Sequence, residues 1–326
     1  MIIVTGATGF IGSNILADLN AAGRSDIILV DDLGTQVKWK NIAKRRFQDL
    51  VLPSELDSLL GTLPRGDVVY HMGANSPTTA TDGDAVFRSN FRTSKKLWEW
   101  CSATRTPLIY ASSAATYGDG TLGFSDDQAL DALDRLRPLN LYGWSKHAFD
   151  KWAVENAQAG SAPPQWCGLK FFNVYGPNES HKGDMRSLVS KNTPAVAEGR
   201  TVKFFKSHRA DYADGQRVRD FIYVKDCTRV MLWLSDHPQV SGLFNLGTGR
   251  ARSFLDLIKA IGSALNLPVS IDFVDMPESI RANYQYFTQA DMNKLAAAGC
   301  NQPMYALEAG VADYVTQYRM QPDIYR

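Results

Sequence analysis

Four cysteines in 326 residues, Cys101, Cys167, Cys227 and Cys300, form no C-x-x-C pair and no zinc spacing, which argues against a disulfide framework and a structural zinc. Buried free thiols in a reducing compartment are the expectation, and no metal site is expected. Excess charge is also lacking. Thirty-five Lys and Arg against 34 Asp and Glu leave a formal net charge of +1, which gives no reason to bind nucleic acid or a membrane surface. No apolar run approaches the roughly 20 residues that cross a bilayer. Repeats and low-complexity tracts are absent as well. Met1 opens directly on an apolar run rather than a leader, so a soluble, cytoplasmic protein is expected.

What is present begins at once. Met1 to Val4 is a short β-branched run, followed by Gly6-x-x-Gly9-x-x-Gly12 and an amphipathic segment through Asn14, Leu16 and Leu19. This reads as strand, glycine turn, helix. Gly6 permits the turn, Gly9 lets backbone approach a pyrophosphate, and Gly12 lets the helix pack closely. Phosphates would sit at the helix N-terminus, where unpaired N–H groups and the helix dipole favour negative charge. A glycine triplet alone occurs in ordinary turns. Here Ile27 to Asp32 supplies a second strand ending in acids about 20 residues on, as a dinucleotide fold requires.

Asp31 is placed to accept from the adenosine ribose, which favours NAD, while Lys38, Lys40, Lys44, Arg45 and Arg46 either cradle a 2′-phosphate or form a solvated face. Asp49 follows the third strand in this reading, near the adenine or as a helix cap. Asp67 to Ser76 is a strand running into Gly73 and Ala74, small residues suited to backbone passing under a ligand; His71 reads as packed core. Asn90 either bridges backbone groups or touches the ligand. Pro107 to Gly118 is a further strand whose exit carries Ser112, Ser113, Thr116 and Tyr117. Tyr142 and Lys146 lie four apart, on one face of a helix. A neighbouring ammonium and a nicotinamide cation favour the phenolate, so a lowered Tyr142 pKa is expected.

The glycine triplet, the Ser-rich strand exit and Tyr142-x-x-x-Lys146 together resemble the extended short-chain dehydrogenase/reductase family. Within it the chain is similar to the ADP-L-glycero-D-manno-heptose 6-epimerases along most of its length, through MIIVTGATGFIGSNI, YASSAATYG, LNLYGWSK, FFNVYGPNESHKGDM, RDFIYVKD, FNLGTGRARSF and QYFTQADMNKLAAAG. The resemblance implies Tyr142 as acid/base, Lys146 on the nicotinamide ribose, Ser113 on the substrate oxygen and Lys182 as the second acid/base. It implies cofactor contacts from Gly6, Gly9, Phe10, Ile11, Gly12, Asp31, Asp32, Lys38, Met72, Gly73, Ala74, Asn75, Asn90 and Val174, with Tyr142, Lys146 and Lys182. Substrate contacts would come from Ser113, Asn173, Asp184, Lys191, Phe205, Arg219 and Tyr284, with Gln285 beside the last. Asp184 stands where the family commonly has Ser, and Asp32 where it often has Asn. These enzymes generally use NADP; the second carboxylate at Asp32 keeps NAD open. An extra polar stretch at about 208–216 lengthens a loop.

The chemistry implied is inversion at C6 of ADP-D-glycero-β-D-manno-heptose. That hydrogen is not adjacent to a carbonyl, so oxidation to a 6-keto sugar and re-reduction from the other face replaces deprotonation, and two acid/bases suit two hydroxyl directions. Lys182 then needs its neutral form, so its pKa should be depressed. Rival readings are a 4-epimerase or dehydratase acting on a UDP- or dTDP-sugar, and a non-catalytic NADP-sensing module. Ser113-Ala114-Ala115-Thr116 lacks the acids a dehydratase wants, and the Tyr-Lys pair argues against the sensor. The expected fold is α/β, a Rossmann-like doubly wound parallel sheet with a smaller α/β substrate-binding domain. The first would span 1–169, rejoined by about 219–247 and 284–291; the second would take 175–218, about 248–283 and 292–326. Asp220 and Asp226 read as structural, 254–265 as a helix, and the tail from Asp291 as an amphipathic helix. A homo-oligomer, a pentamer by resemblance, and heptose supply for lipopolysaccharide core in a Gram-negative bacterium complete the expectation.

Overall fold

The structure is a computed structural model that describes residues 1–208, 213–277 and 286–326. Its layers follow from the first strand, β1 (Ile2–Thr5), where successive side chains point to opposite faces. Ile2 and Val4 pack with Leu16, Leu19, Met231 and Leu234, whereas Ile3 packs with Val69, Leu97, Trp98 and Phe149. A strand apolar on both faces needs helices on both sides of its sheet.

The same sheet takes β2 (Ile27–Val30), β3 (Asp49–Val51), β4 (Val68–His71), β5 (Leu108–Ser113) and β6 (Trp166–Phe171). Three strands then leave it, β7 (Asn173–Tyr175), β8 (Val202–Phe205) and β9 (Val218–Tyr223), and β10 (Gly242–Leu246) returns. The order is β10-β6-β5-β4-β1-β2-β3, with every pair parallel. The chain reverses direction between β3 and β4, so β1 and β4 lie side by side. A ligand crevice opens at their carboxyl ends in folds of this order.

Two small sheets sit beside that crevice. β9 pairs in parallel with β7 and antiparallel with β11 (Ala251–Ser253), and β12 (Ile271–Val274) pairs with β8. Val202, Phe204, Leu257, Ile258, Ile261, Leu307 and Val311 form their core. The Phe254–Leu265 helix starts where Ser253 and Asp256 cap each other reciprocally, and it stops at Asn266 in the left-handed conformation. Residues 218–223 therefore lie in the three-stranded sheet, although the following helix, Val224–Ser235, supplies Cys227, Val230, Met231 and Leu234 to the core of the large sheet.

Two local expectations are corrected. Asp49 opens β3 instead of following it. It therefore lies at the amino edge of the sheet, away from the crevice, with its Oδ1 on its neighbour's N–H. The tail is not one helix, because Gly299 takes φ +96 and divides Asn293–Ala297 from Leu307–Tyr314. All four cysteines are buried and free. Among the described residues no helix is long and apolar enough to cross a membrane.

Candidate active site

The glycine turn is built by contact. Gly6 has φ +63, and a Cβ on it would stand 2.6 Å from the Gly73 backbone at the end of β4. A Cβ on Gly12 would fall 2.1 Å from the Gly6 oxygen, so the helix can approach the turn only as glycine. Gly9 precedes the Phe10–Ala21 helix with no side-chain cap, which leaves first-turn N–H groups facing a cleft of about 740 Å³. That cleft brings together Gly6, Gly9, Phe10, Ile11, Gly12, Asp31, Lys38, Met72, Gly73, Ala74, Ser113, Tyr142, Lys146, Asn173, Val174 and Lys182.

At the end of β2, Asp31 is a fully used carboxylate. Its Oδ2 accepts from Thr8 N at 2.9 Å and Thr8 Oγ1 at 2.7 Å, and its Oδ1 accepts from Asp32 N at 2.9 Å and Lys38 Nζ at 2.6 Å. Lys38 also donates to the Asp32 carbonyl at 2.8 Å. The Asp32 side chain is 64% exposed, with its Oδ1 3.6 Å from Lys38 Nζ. The other cations of that stretch point elsewhere: Lys40 stacks on Trp39 and Tyr325, and Lys44 pairs with Asp323.

Tyr142, Lys146 and Asp150 follow one another down one face of the Leu141–Gln158 helix. The Tyr142 phenol faces Ser113, at the exit of β5, and both line the cleft. Burial pushes the Tyr142 pKa up, opposed by Ser113 and reinforced by Asp150. The chain's own groups thus disfavour the phenolate, with desolvation first; the expected lowering depends also on a nicotinamide cation. Lys146 is itself pushed down to about 8 by burial, against the pull of Asp150, and its ammonium has no hydrogen-bond partner among the described residues. Beneath it Asp150 is fully buried, held by Lys170 Nζ at 2.7 Å, Ser112 Oγ at 2.6 Å and Tyr110 OH at 3.0 Å.

Lys182 enters from a second wall, the Ser180–Met185 segment. Its ammonium lies 5.3 Å over the Phe10 ring. Burial lowers its pKa and Glu179 partly restores it, the direction a lysine base requires. His181 beside it is pushed down to about 4, first by burial and then by Lys38 and Lys182.

Other candidates lie off the cleft lining. Asn90 bridges the Asn75 backbone, N–H and carbonyl both, and reaches Ser145 Oγ at 2.9 Å. Asp184 and Lys191 are exposed. Phe205 ends β8, half-buried, and its carbonyl accepts from Arg217. Arg219 is buried on β9 with its guanidinium 5.9 Å over Phe254. Tyr284 and Gln285 fall outside the described residues, as do 209–212 of the extra stretch. His71 is packed between Thr5 and Ser94. Asp220 pins the Thr248–Gly249 turn and Ala290, and Asp226 holds Arg229 and the Tyr305 N–H.

The family model of the NAD dependent epimerase/dehydratase family matches residues 2–247. The chain belongs to this family. Among curated relatives, the ADP-L-glycero-D-manno-heptose-6-epimerase of Nitratidesulfovibrio vulgaris is 49% identical over 326 residues and 99% of each chain. That of Fusobacterium nucleatum is 44% identical over the full length of both. The crystal structure of Helicobacter pylori ADP-L-glycero-D-manno-heptose-6-epimerase superposes with a TM-score of 0.81 at 25% identity, over 97% of this chain and 95% of that one. A Bacillus cereus UDP-glucuronic acid 4-epimerase with NAD bound shares the fold, at a TM-score of 0.77 and 23% identity. A nicotinamide dinucleotide is thus this family member's cofactor class, and the residues present fit one. The Gly6–Gly73 contact leaves a cradle that a Cβ would fill, and Lys146 is a buried cation whose ammonium has no hydrogen-bond partner among the described residues.

Reading the sequence missed part of the cleft. Arg186, Phe221, Phe254 and Leu257 line it, and Glu179 sits buried behind Lys182. An acid inside an otherwise polar loop, two residues after Pro177, was the available signal for Glu179.

Proposed function

We propose that this chain interconverts ADP-D-glycero-β-D-manno-heptose and ADP-L-glycero-β-D-manno-heptose by inversion at C6, as an NADP-dependent isomerase. The observation that carries the reading is a single cleft lined by Tyr142, Ser113 and Lys182, the last with its pKa depressed by burial. Full-length relatives at 42–49% identity bearing the epimerase's name supply the substrate class. When bound, the nicotinamide supplies reversible hydride transfer, which takes a carbinol carbon to a ketone and back.

The chain's own residues do the rest. The glycine turn and helix N-terminus bind the pyrophosphate, and Lys146 holds the ribose of the nicotinamide. Ser113 orients the sugar hydroxyl toward Tyr142. Tyr142 and Lys182 exchange protons with the C6 oxygen, one for each epimer. Neutral Lys182 is accessible because burial disfavours its charge. Asn173, with Asp184, Lys191, Phe205, Arg219 and Tyr284, is assigned to the sugar nucleotide; Asn75, Asn90 and Asp32 complete the cofactor set.

NADP is favoured over NAD by the Lys38 ammonium, which sits on Asp31 at 2.6 Å and lies 3.6 Å from the Asp32 carboxylate, and so offsets both acids at the end of β2. The reading includes a cytoplasmic homo-oligomer, a pentamer, feeding heptose to lipopolysaccharide core, with the sheet of 1–169 as cofactor domain. Incubation with the ADP-heptose, followed by NMR, should give the second epimer, and mass spectrometry of released cofactor should give NADP. Turnover of UDP- or dTDP-sugars in its place would overturn the substrate assignment.

A further inference from the structure

Glu179 is a carboxylate 1% exposed, on the Lys182 wall of the cleft. The segment that carries Lys182 leaves β7 at Gly176 and rejoins regular structure at Ser187, the N-cap of the Leu188–Ala197 helix. Glu179 ties both ends. Its Oε1 accepts from Gly176 N at 3.4 Å and Ser187 Oγ at 2.6 Å, and its Oε2 accepts from Ser187 N at 2.5 Å. Ser187 Oγ in turn accepts from Ser190 N at 3.2 Å. The Glu179 carbonyl accepts from Lys182 N at 3.0 Å, so one residue fixes the neck and the crest of the loop.

We propose that Glu179 is a positioning residue for the reaction, a buried clamp that sets where Lys182 stands in the cleft. The proposal rests on Lys182 being the second acid/base. The crest is where the clamp matters. Gly183, next to Lys182, has φ +53, and Ser180–Met185 contributes no buried residue of its own. Apart from Glu179 the crest is met by Asn41 Nδ2, 3.1 Å from His181 Nδ1, and by Arg186 Nε, which donates to the Gly183 carbonyl at 2.9 Å, and neither touches the Lys182 backbone. The groups facing Glu179 are Lys182 from its own loop, Ser187 and Ser190 at the next helix, and the Tyr314 hydroxyl from the Leu307–Tyr314 helix. Lys182 is faced by Glu179, with His181 and, beyond it, Lys38 and Asp31 nearby. The Glu179 charge raises the Lys182 pKa that burial lowers, so the clamp also opposes premature loss of the proton.

The test is the pH profile of kcat for Glu179→Gln, with Glu179→Asp and Lys182→Met measured alongside. Removing the anion leaves Lys182 with burial alone. Glu179→Gln should therefore lose about tenfold or more in kcat with KM and bound cofactor kept, and its ascending limb should move to lower pH. Glu179→Asp should keep the limb where it is. A loss of kcat at every pH with the limb unmoved would mean a merely structural role and overturn the proposal, as would an unchanged kcat. Normal turnover in Lys182→Met would instead sink the Lys182 reading itself. Should Glu179→Gln fail to fold, Ser187→Ala removes the hydroxyl that the carboxylate grips. It should lower kcat with KM kept, and wild-type kcat in that variant would refute the clamp.

Discussion

Replacing Lys170 by Met breaks a charge pair that is closed to solvent at both ends, with side-chain exposure of 0% for Lys170 and Asp150 alike. Lys170 Nζ bonds Asp150 Oδ2 at 2.7 Å and Thr116 Oγ1 at 2.9 Å. Its loss leaves Asp150 with two neutral donors, Ser112 and Tyr110. Removing one partner of a buried pair costs about 3–5 kcal/mol, because the remaining charge is neither solvated nor paired. Against a total stability of roughly 5–15 kcal/mol this is a large share. Urea unfolding should show the midpoint falling with an unchanged slope. Asp150→Asn placed in the same chain removes the stranded charge while keeping an acceptor, so the double variant should be more stable than Lys170→Met alone. Asp150 is also the charge that opposes desolvation of Lys146; cofactor content should recover poorly in the double variant even where stability returns. A loss below about 1 kcal/mol in Lys170→Met, or strict additivity in the double, would refute the reasoning.

Gly12→Ala should fold poorly or lose cofactor, since its Cβ meets the Gly6 oxygen at 2.1 Å and the Ala7 Cα at 2.9 Å; overpacking of this kind costs about 1–3 kcal/mol, read by urea unfolding and by absorbance of bound nucleotide. Lys38→Ala should weaken NADP more than NAD, by about tenfold or more for one lost phosphate contact, measured by titration calorimetry; equal loss for both would remove Lys38 from 2′-phosphate recognition. Lys182→Met should cut epimerisation by about 10²–10⁴ with cofactor still bound, assayed by NMR of the product. His71 is held down to about 3 by burial and by Lys146, so between the ordinary value of 6.5 and about 3 the unfolded chain binds a proton that the folded chain refuses. Stability from this group is therefore present above pH 6.5 and falls as pH drops, by about 1.4 kcal/mol per pH unit. His71→Gln should flatten the urea midpoint between pH 6.5 and 5 by about one proton's slope; an unchanged slope would contradict the burial argument.

The parts of this molecule that sequence reading reached are those with local causes. Strand period, glycine spacing and an i, i+4 pair sufficed for β1, its turn, the Phe254–Leu265 helix and the shared face of Tyr142 and Lys146; that Ser113 joins them in the cleft was implied by the family resemblance. The parts that escaped depend on distant contact. Asp49 was put at the wrong end of β3 because a three-residue strand has no period to mark its edges. The partners of β9 are β7 and β11, 45 residues before and 33 after by their first residues, and no local pattern says so. The upward push on the Tyr142 pKa escaped because burial is a property of the folded whole. Glu179 was not singled out, since its grip on Ser187 appears only once the loop is closed.

The central claim is that inversion proceeds by removal and return of the same hydrogen at C6, with Tyr142 and Lys182 handling only the hydroxyl proton. NMR of ADP-D-glycero-D-manno-heptose incubated with the protein in D₂O tests it directly. The account predicts the L-glycero epimer with no deuterium at C6. Epimer carrying deuterium at C6 would mean exchange with solvent and contradict the mechanism.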